Sequence, residues 1–139
     1  NVAVKILETG ETEQANFEMF RTWMRFCFKN NIREISGLTS EFSSMGRERQ
    51  KSLMAYALKI IRYCMHNRMG DQSQIKADGD ELKFVNDFTP FIHPGNASQL
   101  YEEFNKALYH IERNGNATIL FMDLSLQSMK WLKIKARTN

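Results

Sequence analysis

Apolar residues return at intervals of three and four along most of this chain, the spacing of a helix that buries one face. In the segment 100–113, Leu100, Phe104, Ala107, Leu108 and Ile111 share one face, while Glu102, Glu103, Lys106 and Arg113 occupy the other. Asn114-Gly115-Asn116 then interrupts the pattern. Gly115 suits the left-handed conformation that ends a helix, and Asn116 suits the cap of the next. The segment that follows, 117–132, has only Asp123 and Lys130 as charged residues. At about 100° per residue, Leu120, Leu124 and Trp131 fall in one sector, Phe121 and Leu132 in a second, Met122 and Met129 in a third. A helix apolar on several sides needs several neighbours. In a chain of 139 residues some of them are expected on another subunit.

The same reading applies upstream. A first long helix is expected from about Glu13 to Asn30, capped by Thr12, with Phe17, Phe20, Met24, Cys27 and Phe28 in one stripe and Met19, Trp23 and Phe26 in the next. So wide an apolar arc fits a central core helix, or one shared between core and subunit contact. Ile32, Ile35, Leu38 and Phe42 mark a second helix over 31–45, weakened by Gly37. A third spans about 47–69, burying Leu53, Tyr56, Ala57, Ile60, Ile61 and Cys64. Residues 69–80, rich in Gly, Asp and Ser, read as a loop. Phe84, Val85 and Phe88 then restart a helix that Pro90 must kink or stop. Pro94-Gly95 makes a turn, with Asn96 as cap of the following helix and His93 as a solvent-facing turn residue. Lys133, Lys135 and Arg137 suit the last helix end. No β alternation appears, so the expected fold is all-α, an orthogonal bundle of about five to six helices. The opening residues 1–9 read as the tail of a preceding domain, closed by Thr9-Gly10, and the chain as a piece of a longer protein whose helical domain is 10–139.

Composition narrows the function classes. Hydrophobic residues at 42% and charged residues at 25% describe a globular protein rather than a disordered one. A net charge of +3 is too balanced to argue for nucleic acid by itself. Cys27 and Cys64 lie inside apolar helical patterns without paired spacing, which suggests buried free thiols in a reducing compartment. No signal peptide is visible and there is no long uncharged apolar run, so the cytoplasm is expected and no membrane contact.

Candidate chemistry is sparse. Neither a G-x-x-x-x-G-K-[ST] loop nor a G-x-G-x-x-G turn is present. Met45-Gly46-Arg47 reads as an ordinary helix cap with at most a weak pull on an anion. His66, His93 and His110 have no metal-ligand spacing among themselves or with the cysteines. No paired acid and base is visible, so no catalytic, cofactor or metal residues are assigned. Asp123 is either the solvated strip of a mostly buried helix or a carboxylate facing a partner. The stripe Lys51, Lys59, Arg62 and His66 either forms a solvated face or follows a phosphate backbone, though no aromatic residues interleave with it. Most of the methionines fall on apolar faces as gap fillers.

Three segments carry a resemblance. Phe17-Glu18-Met19-Phe20-Arg21-Thr22-Trp23-Met24-Arg25, Gly46-Arg47-Glu48-Arg49-Gln50-Lys51-Ser52-Leu53 and His110-Ile111-Glu112-Arg113-Asn114-Gly115-Asn116-Ala117 resemble stretches of delta-prime subunits of the bacterial DNA polymerase III clamp loader, in their Bacteroidetes-type version. The last segment is also similar to the related tau/gamma subunits. The resemblance runs from about Gly10 to Leu132. It implies a C-terminal helical collar through which five subunits form a ring, with tau/gamma and delta as partners and DNA met indirectly through the assembled complex. It also implies that residues 1–9 end a lid domain and that the nucleotide, zinc and arginine-finger motifs lie upstream. On that footing Trp23, Leu124, Met129 and Trp131 are the expected subunit contacts, and a nucleic-acid module using Lys51, Lys59, Arg62 and His66 is the alternative.

Overall fold

The computed structural model describes residues 2–135, with side chains from residue 10 onward. Within them the chain forms six α-helices and no strand, so the all-α bundle expected from the periodicity is found. The helices are α1 (Val2–Lys29), α2 (Ile32–Ser44), α3 (Arg47–Arg68), α4 (Gly79–Phe88), α5 (Ala97–Glu112) and α6 (Ala117–Leu132), with 3-10 turns at Gln72–Gln74 and Thr89–Phe91. α1 continues through Gly10, so the break expected at Thr9-Gly10 is absent. One interior glycine costs a helix only about 1 kcal/mol and need not end it. Arg137 and Asn1 lie outside the described residues, as do the side chains of 2–9.

Three helices end in the same way. Asn30, Gly70 and Asn114 take left-handed backbone, at φ 56°, 80° and 61°. Behind each, the next amide reaches back to the last turn: Asn31 N–H to Phe26 O at 3.0 Å, Asp71 to His66 O at 2.9 Å, and Gly115 to His110 O at 2.8 Å. These bonds satisfy carbonyls the helix cannot pair itself and turn the chain sharply back on the bundle. In the last of the three, the residue expected in left-handed conformation was Gly115; Asn114 takes it instead. Gly115 serves a steric need, since a Cβ there would lie 3.0 Å from His110 O and 3.0 Å from Leu120 Cδ1. Asn116 caps α6 as expected, its side chain accepting from Ile119 N–H at 3.0 Å. α4 stops at Phe88, two residues before Pro90.

Two aromatic hubs hold the helices together. Phe20 of α1 meets Tyr56, Phe84, Phe88 and Phe104 edge to face, and so joins α1 to α3, α4 and α5. Trp23, one turn on, meets Phe42, Phe104 and Phe121 and joins α1 to α2, α5 and α6. Such contacts add about 0.5–1.5 kcal/mol each beyond area burial. Polar staples complete the joints. Trp23 Nε1 donates to Ser125 Oγ at 2.8 Å. Gln50 Nε2 donates to Phe42 O at 3.1 Å and Met45 O at 2.9 Å, closing the C-terminal end of α2 with a side chain from α3.

Candidate protein-interaction surfaces

The expected contact residues divide into two groups. Trp23 is 0% exposed and Leu124 2%, both enclosed by their own chain. Neither offers surface to a neighbour, and both expectations are corrected: the indole fills the joint of four helices, and Leu124 belongs to the core it closes. Met129 and Trp131 are partly buried at the margin of that core. The Trp131 indole N–H finds no partner among the described residues, and Lys130 Nζ lies 4.8 Å from its ring centre.

The apolar surface that α6 does leave open runs along a different line. Ile119 is 66% exposed and Leu126 47%, with Met122 and Met129 partly buried beside them. These four recur at spacings of three, four and three, one stripe on one side of the helix. A shallow groove lies beside the stripe, where Ser36, Thr39 and Ser40 of α2 face Thr118, Met122 and Asp123 of α6. Asp123 is solvent-exposed at this edge. Sequence reasoning placed Met122 and Met129 in a common sector but missed Ile119 and Leu126. The spacing was there to be read; it was masked by the competing stripe that fills the core.

The basic stripe is largely neutralised. Lys59 pairs with Glu13 at 2.6 Å and sits over the Tyr56 ring, Lys51 pairs with Glu48 at 3.5 Å, and His66 lies 3.5 Å from Asp71. Surface pairs of this kind add little stability, but they cancel the field a phosphate would follow. Arg62 alone of the four has no ion-pair partner among the described residues.

A second open region lies where α1, α4, the 3-10 turn after it and the end of α6 converge. Phe28, expected in the core stripe of α1, is 51% exposed and packs against the half-buried ring of Phe91 at 4.9 Å. Behind them is a cavity of about 210 Å³ floored by Met24, Phe84, Phe88 and Leu132. The end of α6 is held here by a buried polar latch. Asn96, expected as an ordinary cap, makes no side-chain cap bond. Instead its Nδ2 donates to Phe91 O at 2.8 Å and Trp131 O at 3.0 Å, and its Oδ1 accepts from His93 N–H at 3.0 Å. His93, expected in solvent, is 3% exposed. Its Nδ1 accepts from Gly95 N–H at 3.1 Å, so Nε2 carries the proton and donates to Ile134 O at 2.7 Å.

Both thiols are buried as expected, and burial pushes each up to about 12. Burial, then the hydrogen bond to Glu81, raises the Tyr56 hydroxyl as well. Among the described residues no group of three His, Cys, Asp or Glu side chains converges as metal ligands, and no helix is long and apolar enough to cross a membrane. No family model, curated protein or solved structure matches the chain.

Proposed function

We propose that this chain is a non-catalytic helical assembly domain, the collar of a delta-prime-type subunit in a bacterial cytoplasm. In that role it joins tau/gamma and delta subunits in the five-membered ring that loads the sliding clamp for DNA replication. The observation that carries the reading is the exposed pair Ile119 and Leu126, flanked by the partly buried Met122 and Met129, on a helix whose other apolar stripe already fills the core. A helix with two apolar stripes buries the second against a neighbour, and the α2–α6 groove beside it accepts an apolar helix face. Two of the three segments that resemble delta-prime also support it, because they meet in space: Arg47 of the second donates to Asn114 of the third. Phe20 and Trp23 of the first form the aromatic hubs. The pairing of Lys51 and Lys59 with acids leaves Arg62 as the stripe's one unpaired lysine or arginine among the described residues, which weighs against the direct DNA-binding alternative.

The test is co-purification with tau/gamma and delta collars. The unaltered chain enters the ring. The double variant Ile119→Glu, Leu126→Glu keeps its circular dichroism and stays out, because a buried charge at an interface core costs several kcal/mol. Ring assembly indifferent to both charges removes the α6 assignment. Failure of the unaltered chain to join either partner removes the clamp-loader reading.

A further inference from the structure

The aromatic groove around Phe28 and Phe91 lies apart from the α6 stripe and has a chemistry of its own. Beside its cavity of about 210 Å³ lies a second hollow of about 460 Å³, and Phe28, Phe91 and Leu132 line both. Phe28 at 51%, Phe91 at 37% and Ile134 at 42% leave large apolar surface open around a concave floor. Arg25 and Lys29 line the first hollow, and Lys133 and Lys135 the second. None of these four cations has an ion-pair partner among the described residues. Among the described residues the only acid lining either hollow is Asp87, which Lys83 holds at 2.9 Å.

An ordinary account of such cations is that they complement the C-terminal ends of α1 and α6. Each helix end amounts to about half a negative charge, so two ends offset about one of the four. Arg25 lies more than a turn inside α1 and owes nothing to its end. A positive rim around an open aromatic floor is left over. Contact with a second copy of the same face would set two such rims against each other, which like charges oppose. A lipid surface takes apolar groups that protrude, whereas these line a hollow. A nucleic acid strand stacks on aromatic faces set in succession along a basic track, whereas Phe28 and Phe91 meet edge to face at 4.9 Å and offer no such row.

We infer that this groove docks a peptide segment of a partner protein that carries one large apolar anchor flanked by acidic residues. The anchor enters the cavity behind Phe28 and Phe91, and the flanking carboxylates meet Arg25 and Lys29 at the first hollow and Lys133 and Lys135 at the second. The Asn96–His93 latch fixes the end of α6 to the turn that carries Phe91, so the site is formed before the ligand arrives.

The experiment uses fluorescence anisotropy of labelled peptides titrated with the full 139-residue chain. The probe has a Leu-Phe anchor between runs of glutamate; controls replace the anchor with serines or the glutamates with lysines. The acidic anchored peptide alone binds, its affinity falls with added salt, and it weakens about tenfold or more on Phe28→Ser and on Lys29→Glu combined with Lys133→Glu. All these side chains are largely exposed, and Arg25→Glu provides an independent variant should one lower the melting temperature. Equal binding of the acidic and basic peptides overturns the inference, as does no binding at all. So does a preference for phosphatidylglycerol vesicles or duplex DNA with the same variant sensitivity, or a dimer that Phe28→Ser dissolves.

Discussion

A methyl group on Gly115 would sit 3.0 Å from a backbone oxygen and 3.0 Å from a leucine methyl, closer than carbon normally packs. Gly37, in the middle of α2, has nothing within 4 Å of the same position. The two glycines therefore answer oppositely to one substitution. Gly115→Ala lowers stability by about 1–2 kcal/mol through overpacking, and Gly37→Ala raises it by about 0.5–1 kcal/mol through helix propensity. Urea unfolding of the two variants checks this; shifts of the same sign would remove the steric account of the α5–α6 turn. Residue identity alone suggested Gly115 for the left-handed position, because glycine is the default there. Asparagine also tolerates that backbone. What decides between neighbours is a contact to Leu120, across the turn, which no local pattern displays. His93 misled for the same reason, since its partner Ile134 lies 41 residues away.

Among the elements, the helices were readable wherever a single apolar stripe meets a single polar one, as in α5, whereas α3 also buries Met54, Leu58 and Tyr63 beside its expected face. Phe28 and Ile32 broke the pattern: both continue helical stripes, yet both stand half exposed, Phe28 at the end of α1 and Ile32 at the start of α2. α6 was the hardest to read, because two apolar stripes share one helix and only packing shows which turns inward. The latch that holds its end gives a test at this scale. Asn96→Ala strips the partner from Phe91 O and from His93 N–H together, while Trp131 O keeps the Ile134 N–H, and it costs about 2–4 kcal/mol as the first two buried groups go unpaired. Asn116→Ala removes a single bond from an exposed cap and costs about 1 kcal/mol. Equal, small losses in thermal unfolding would reduce Asn96 to a common cap.

For the molecule as a whole, the buried thiols couple stability to alkaline pH. Unfolded cysteines ionise near 9.0, whereas Cys27 and Cys64 hold their protons up to about 12 because burial disfavours the thiolate. The folded chain thus keeps protons that the unfolded chain gives up. The full contribution stands below pH 9 and is lost progressively as pH climbs towards 12, by up to about 1.4 kcal/mol per pH unit for each thiol. Tyr56, raised in the same direction, adds to the loss. Urea midpoints measured from neutral to about pH 10.5 fall more steeply in the parent than in Cys27→Ala, Cys64→Ala, and equal slopes would show that the thiols are not the coupled groups. Because one indole lies at the meeting point of four helices and the other beside the latch, the molecule has two intrinsic optical reporters. Emission from Trp23 follows the aromatic centre, and that from Trp131 follows the attachment of the last helix, so the loosening of the tail can be watched separately from the melting of the middle.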